Sequence, residues 1–262
     1  MVGMDYRKLA VRYDTFITTK FDIPFFLEEV QGRQEVLELM SGTGRLSIPL
    51  MEAGVHLTCV DNSPDMLVVL RSKMERKGLA ATVIESDAAR LSLPGKYDLA
   101  LLPFHSFSEF LTAEDQERAL AGVHDSLASR GRFICTLHNP PSRLKSCDGA
   151  SRLCGEFPLD EQTGALWELD SGGTLLMWIT EQYDPRSRTV SGVQQYEVYD
   201  RAGIKRSKEF VDIQFVLHDP ADFEQLAQAA GFRTVVVYGD YARAEFREES
   251  SPFMIWVLEK LD

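Results

Sequence analysis

The sequence predicts an α/β protein built on a doubly wound parallel sheet, and three observations support this fold class. Strand-length apolar segments alternate with helix-length segments between residues 35 and 137, a pattern typical of right-handed crossovers between parallel strands. The segment 97–104 is apolar at nearly every position, as expected for a strand covered on both faces. A glycine turn joins the first of these strands to the first helix. The chain has 262 residues, 44% of them hydrophobic, which is enough for the large core of such a sheet.

The elements follow in order along the chain. Residues 5–30 are predicted to be helical, with Pro24 opening a second short helix. The predicted strands of the alternating region are 35–40, 55–60, 81–85, 97–104 and 131–137, and its predicted helices are 45–53, 63–77 and 113–128. The helix at 63–77 begins with Ser63 and Pro64, a typical start because serine caps free backbone N–H groups and proline fits the first turn.

The alternation stops after Asn139. Residues 140–165 are rich in Pro, Gly, Ser and Cys and are predicted to be a loop. Four strand-length segments separated by turn residues then predict an antiparallel meander, at 166–169, 174–183, 189–199 and 204–216. A helix from Asp219 to Ala230 and two strands, 232–238 and 252–259, complete the predicted elements.

Charge and composition narrow the class of partner. The net charge of −12 disfavours binding to nucleic acid or to an anionic membrane. The sequence has neither a secretory signal nor the roughly 20 apolar residues that span a bilayer, so a cytoplasmic protein is expected. Cys59 and Cys135 lie in apolar strands, and Cys147 and Cys154 lack the spacing and further ligands of a zinc site. No metal is expected.

The strongest functional signal is the turn Glu38-Leu-Met-Ser-Gly42-Thr-Gly44-Arg. Glycines let a backbone approach a ligand closely, and the helix that follows offers free N–H groups. Asp61 ends the next strand, 19 residues after Gly42, where a carboxylate can accept both hydroxyls of a ribose. Together these features predict a nucleoside cofactor at the carboxyl ends of the strands.

The same turn indicates which kind of cofactor binds. A dinucleotide site has a third glycine where this sequence has Ser47, and Glu38 would repel a pyrophosphate. A cofactor with a cationic amino acid end fits better.

With these motifs the chain resembles class I S-adenosylmethionine-dependent methyltransferases. The segments ELMSGTGR, CVDNSPDML and ESDAARL resemble the successive motifs of that family. The resemblance covers residues 30–138 and 218–262, and it implies S-adenosyl-L-methionine as the cofactor. It implies that Gly42 and Gly44 hold the amino acid part, that Asp61 binds ribose, that Asp87 with Ala88 binds the adenine amino group, and that Met66 packs on adenine. Tyr6 and Tyr13 resemble aromatic residues that close over the cofactor, and Glu38, Asn62 and Phe104 complete the expected cofactor-binding set.

The resemblance also implies a domain plan. An N-terminal helical cap (1–30) is expected beside a Rossmann-like domain (31–139 and 218–262) whose last two strands are antiparallel. Residues 140–217 are then an antiparallel β insertion between strand five and its following helix. Small-molecule members of the family, including sugar amine N-methyltransferases, resemble this plan. The insertion is expected to cover the acceptor or to form a dimer surface, and to be dispensable for cofactor binding.

The acceptor side is expected after strand four, in the segment Leu102 to Phe110. Methyl transfer depends mostly on alignment, and a base can take the proton of the acceptor. His105 and Glu109 are the candidates for this catalytic base. Sugar amine relatives often carry His at the place of Glu109, so this sequence departs from them.

These observations predict an S-adenosylmethionine-dependent methyltransferase that acts on a nitrogen or oxygen atom of a small molecule. A non-catalytic protein that binds S-adenosylmethionine or S-adenosylhomocysteine remains an alternative, because the acceptor base is not fixed by the sequence. A nicotinamide-dependent oxidoreductase is a further alternative, disfavoured by Ser47 and Glu38.

Overall fold

The computed structural model describes residues 9–93, 97–169 and 172–261, so Tyr6 lies outside the described residues. The strands before the insertion are β1 (Val36–Leu39), β2 (Leu57–Asp61), β3 (Thr82–Glu85), β4 (Tyr97–Leu102) and β5 (Leu127–His138). The later strands are β6 (Asp148–Leu159), β7 (Gly173–Asp184), β8 (Thr189–Tyr199), β9 (Lys205–Val216), β10 (Phe232–Tyr238) and β11 (Phe253–Lys260).

Two sheets are formed. The main sheet has the order β10-β11-β5-β4-β1-β2-β3, and β6-β7-β8-β9 form the second. Strands β1 to β5 pair in parallel, whereas β11 runs antiparallel to β5 and β10 antiparallel to β11. The second sheet is antiparallel throughout. The predicted fold class, a doubly wound sheet with an antiparallel end and an antiparallel insertion, is therefore confirmed.

The helices of the described residues are short apart from three. They are α1 (Tyr13–Phe16), α2 (Ile23–Glu29), α3 (Ser47–Glu52), α4 (Pro64–Lys77), α5 (Ala113–Ser126), α6 (Pro140–Arg143), α7 (Glu161–Leu166) and α8 (Pro220–Ala229). The predicted start of α4 is confirmed, because the Ser63 hydroxyl accepts a 3.4 Å hydrogen bond from the Met66 N–H. Within the described ranges, no helix combines the length and the apolar character needed to cross a membrane.

The prediction was wrong in several segments of the insertion. Helices α6 and α7 lie where a loop was predicted. Residues 148–159 form strand β6 instead of a loop. This strand lies at the edge of its sheet and most of its side chains are exposed, so it needs few of the apolar residues by which strands are recognised. Trp167 and Leu169 follow α7 and are not part of a strand. Their apolar side chains, which suggested a strand, are buried in a core cluster instead.

That core joins the N-terminal segment to the inserted sheet. Leu9 and Phe16 pack in one buried cluster with Trp167, Leu175 and Tyr196. Two larger clusters form the main core. The insertion therefore supports the N-terminal cap.

Candidate functional site

A cavity of about 720 Å³ opens at the carboxyl ends of β1, β2, β3 and β4. Its wall comes from the glycine turn after β1, from the loops after β2, β3 and β4, and from α1. Strand β8 contributes one of the described lining residues, Gln194. Carboxyl ends of parallel strands are the usual ligand-binding edge of such a sheet.

The two glycines of the turn have different positions. Gly42 lines the cavity and has a left-handed φ of 56°. Gly44 also has a left-handed φ, of 84°, but it faces α4 and is not part of the cavity wall. A Cβ at Gly44 would lie 2.4 Å from Cδ1 of Leu70. Gly44 thus lets the turn approach α4 closely. It shapes the site without forming part of the cavity wall.

The loop after β2 brings Asp61, Asn62 and Met66 to the cavity. The Asp61 carboxylate accepts hydrogen bonds from the backbone N–H groups of Gly42 (2.8 Å) and Ser63 (2.9 Å). Burial raises the pKa of Asp61, and these backbone hydrogen bonds oppose the shift. The carboxylate therefore braces the turn and also faces the cavity.

The loop after β3 supplies Asp87, which lines the cavity. Its carboxylate accepts a 2.9 Å hydrogen bond from the Ala89 N–H. Ala88, the expected partner of Asp87, and Ala89 both pack in the main core, and of the two Ala89 also lines the cavity. The short helical turn Ala88–Arg90 rotates the first alanine inward.

Glu38 is a buried carboxyl group in the cavity wall, 1% exposed. Burial raises its pKa to about 7, while Ser47 and the positive charge of Arg45 act in the opposite direction. No described residue donates a hydrogen bond to its Oε2. Such an oxygen is costly unless a partner binds it, so Glu38 is suited to a cationic ligand group.

Arg45 was not predicted as a site residue, although it lines the same cavity. Its guanidinium group makes two 2.6 Å hydrogen bonds to the Asp22 carboxylate and lies 4.6 Å from the centre of the Phe104 ring. It thereby ties the turn to the segment before α2. Its position directly after Gly44 was the available signal, but its partner, 23 residues away, was not visible in the sequence.

The charge of the cavity discriminates between cofactors. Its described wall includes the carboxyl groups of Glu38, Asp61, Asp87, Glu109 and Asp115. The basic side chain in this described wall is Arg45, which Asp22 already pairs. An acidic wall repels a pyrophosphate and attracts a cation. The residues present therefore fit a nucleoside with a cationic amino acid end.

The segment after β4 turns sharply at Phe104 and His105, whose φ values are 59° and 63°. Phe104 lines the cavity, but His105 does not. The His105 ring stacks on the ring of His138, with 3.9 Å between the ring centres, and its centre lies 5.1 Å from that of the Phe253 ring. Burial lowers its pKa to about 4, against a hydrogen bond with the Leu137 backbone that raises it. His105 thus lies outside the cavity wall, and its imidazole is neutral at neutral pH.

Glu109 and Tyr13 both line the cavity and lie close to each other. Burial raises the pKa of the Tyr13 phenol, and the nearby charge of Glu109 raises it further. Glu109 ends the short helical turn Ser106–Glu109, which also brings Ser106 to the wall. Of the two predicted candidates for the base, Glu109 is the one in the cavity.

Gln194 was missed although the sequence contained a signal for it. Along β8 the side chains of Val190, Tyr196 and Val198 are buried on one face, and Gln194 belongs to the same face by the period of two. A polar residue in an inward-facing series is the pattern that could have identified it.

Comparison with known proteins agrees with this geometry. Residues 36–131 match the family described as "Methyltransferase domain". The chain is 34% identical over 113 residues to the demethylmenaquinone methyltransferase of Thermus thermophilus, covering 42% of this chain and 50% of that protein. It is 25% identical over 249 residues to the glycine/sarcosine N-methyltransferase of Halorhodospira halochloris, covering 90% of this chain and 80% of that one. The match thus spans half the length of the Thermus protein.

The likeness in fold extends over the whole chain. The solved structure of the CcbJ methyltransferase from Streptomyces caelestis has a TM-score of 0.78 and 22% identity, and it covers 97% of this chain and 96% of its own. The inserted sheet and the cap are therefore part of a fold found elsewhere.

Proposed function

We propose that this chain, which carries a class I S-adenosylmethionine-dependent methyltransferase domain, transfers a methyl group to a nitrogen or oxygen atom of a small molecule. The observation that carries the proposal is the buried Oε2 of Glu38, which no described residue satisfies, in an acidic cavity that also holds Asp61. A cationic amino acid end would satisfy the first carboxyl group and a ribose the second.

The chain's own residues have the following proposed roles. Asp61 accepts hydrogen bonds from the ribose hydroxyls, Asp87 accepts one from the adenine amino group, and Met66 packs on adenine. Tyr13 and Phe104 close the cavity around the cofactor. S-adenosylmethionine supplies, when bound, an electrophilic methyl group on a positively charged sulfur.

The acceptor must be aligned with that methyl group, and alignment supplies most of the acceleration in a displacement of this kind. An amine that is protonated in solution must also lose a proton before it can attack. We propose Glu109 as the group that accepts this proton, because it lines the cavity beside Tyr13. The relative that acts on glycine and sarcosine nitrogen supports an amine acceptor over an alcohol.

Three further parts belong to the proposal. A cytoplasmic location is supported by four free cysteine thiols, which suit a reducing compartment. The acidic net charge of −12 supports a protein without a nucleic acid partner. A homodimer through the inserted sheet is supported by Phe210 and Leu153, which lie in one cross-strand row and are 61% and 47% exposed.

Two measurements test the function. Titration calorimetry with S-adenosylhomocysteine and with NAD should show binding of the first and none of the second. Incubation with methyl-labelled S-adenosylmethionine and a metabolite extract should then label a small molecule. Binding of NAD alone would contradict the cofactor assignment, and binding of S-adenosylhomocysteine without any labelled product would favour a non-catalytic binding protein.

A further inference from the structure

Gln194 brings an uncharged polar group from the inserted sheet to the cavity. The other described wall residues belong to the N-terminal segment and to the part of the chain that builds the main sheet. The predicted cofactor contacts all come from those other parts. Gln194 therefore belongs to the portion of the wall that is left for the acceptor.

The orientation of the Gln194 amide is set by one hydrogen bond. The Tyr196 hydroxyl donates to Oε1 of Gln194 at 2.7 Å. Because the amide oxygen accepts this hydrogen bond, the amide is oriented with its NH₂ group as the donor for a ligand.

Tyr196 is itself firmly held. It is fully buried, with its ring 4.8 Å from that of Phe16 and 6.1 Å from that of Trp167. Burial raises the pKa of its phenol, and Tyr13 and Glu209 raise it further, so the hydroxyl keeps its proton near neutral pH. The Tyr196 hydroxyl can therefore donate to Oε1 of Gln194 at neutral pH.

We propose that Gln194, positioned by Tyr196, donates a hydrogen bond to an oxygen atom of the methyl acceptor. The inference rests on the proposed function and adds the chemical class: the acceptor is an amine that also carries an oxygen. Gln194 then fixes the oxygen end of the acceptor, and the amine nitrogen of the acceptor is left to face Glu109.

The charge of the site favours an uncharged oxygen, that of a hydroxyl or a carbonyl. An amide donates without bringing a positive charge, and the described wall is rich in carboxyl groups that repel a carboxylate. The guanidinium of Arg45, the described basic group of the wall, is occupied by Asp22.

The test uses three amines of similar size: ethylamine, ethanolamine and glycine. Initial rates with labelled S-adenosylmethionine give kcat and KM for each amine, and calorimetry gives its affinity for the complex with S-adenosylhomocysteine. The full-length wild type is compared with Gln194→Leu, which cannot donate, with Gln194→Asn, whose amide is too short to reach, and with Tyr196→Phe. Gln182→Leu, at an exposed position of β7, is the matched control.

We expect the wild type and Gln182→Leu to prefer ethanolamine over both other amines. In Gln194→Leu and Gln194→Asn the preference over ethylamine should fall by about tenfold, the value of one hydrogen bond. The loss should appear in KM, with the affinity for S-adenosylhomocysteine unchanged. Tyr196→Phe should raise KM for ethanolamine, with kcat and KM for ethylamine unchanged, because it releases the orientation of the amide.

Several outcomes would overturn the inference. An equal preference in the wild type and in both Gln194 variants would do so, as would a parallel loss of cofactor affinity. A wild-type preference for glycine over ethanolamine would overturn the choice of an uncharged oxygen. Oxygen-dependent binding without turnover would contradict the proposed function, and with it the role of the bound amine as methyl acceptor, but would support a hydrogen bond from Gln194 to a ligand oxygen. The lack of any such difference in binding and in turnover would overturn the inference.

Discussion

The guanidinium group of Arg12 lies 4.5 Å from the centre of the Trp167 ring. The same side chain donates a 2.8 Å hydrogen bond to the Leu166 carbonyl and forms a 2.5 Å ion pair with Glu209. Arg12 directly precedes α1, and its partners belong to the insertion. The inserted sheet therefore holds the segment that brings Tyr13 to the cavity, so the insertion and the cofactor site are mechanically connected.

Arg12→Ala should weaken cofactor binding although Arg12 is not part of the cavity wall. Without the ring contact and the ion pair, the N-terminal segment that carries Tyr13 is held less firmly against the insertion. We therefore expect the dissociation constant of S-adenosylhomocysteine to rise by about tenfold in titration calorimetry. Arg76→Ala, at an exposed position of α4, is the control and should bind as the wild type does. Unchanged affinity in Arg12→Ala would show that the cap does not depend on this contact.

Replacement of residues 145–214 by a short linker tests the connection more strongly. The sequence alone predicts that cofactor binding survives this deletion. In the structure the deletion removes Trp167 and Tyr196, against which Phe16 packs, so we expect a folded main domain whose affinity for S-adenosylhomocysteine and whose turnover are both reduced. Circular dichroism checks the fold. Full affinity in a folded deletion variant would contradict the structural expectation.

Asp61→Ala should weaken cofactor binding by at least about tenfold, since each charge-assisted hydrogen bond contributes roughly 1.5 to 3 kcal/mol. It should also lower the melting temperature, because the carboxylate accepts hydrogen bonds from Gly42 and Ser63. Asp65→Ala, exposed in the first turn of α4, is the matched control. An unchanged dissociation constant would remove Asp61 from the proposed site.

Glu38→Gln should change the pH dependence of stability. The pKa of Glu38 is raised from 4.5 to about 7 by burial, so its contribution is fully present below about pH 4.5 and is lost as the pH rises through 7. The glutamine stays neutral, so the ligand-free variant should gain up to about 3 kcal/mol in unfolding free energy at pH 8. Little should be gained at pH 5.

Urea denaturation at pH 5 and pH 8 measures this difference, with the exposed Glu75→Gln as the control. The affinity for S-adenosylhomocysteine should move in the opposite direction and fall in Glu38→Gln, because the variant lacks the carboxylate that we propose to face the cationic end. A stability difference that is the same at both pH values would disprove the titration of Glu38 in this range.

Glu109→Gln should lower the rate of methyl transfer by about 10²-fold or more, within the usual range of general acid–base catalysis, without a change in cofactor affinity. His105→Asn should stay within a few-fold of the wild type, because His105 lies outside the cavity wall and asparagine tolerates its left-handed backbone. Labelled-methyl kinetics on both variants decides between them. A large loss in His105→Asn with normal turnover in Glu109→Gln would reverse the assignment.

Much of the cofactor side could be predicted because its signals are local. Gly42 and Asp87 closely follow a parallel strand and Asp61 ends one, and the carboxyl ends of such strands meet at one edge of the sheet. The cap of α4 by Ser63 spans three residues, so the sequence contains it entirely. Ala88 marks the limit of this reasoning, since it packs in the core and the next residue, Ala89, is the one that also reaches the cavity wall.

The sequence by itself determined the order of strands and helices in the main sheet, the presence of an inserted antiparallel meander, and the acidic ligand edge. Only the tertiary structure decided that His105 turns away from the cavity, that Arg45 is paired by Asp22, and that Gln194 reaches the site from the second sheet. The physical reason is the distance along the chain between the residues that interact. The periodicity of apolar residues shows which face of an element is buried, but the neighbour that buries it is chosen by contacts between distant segments, and those contacts form only when the whole chain is folded.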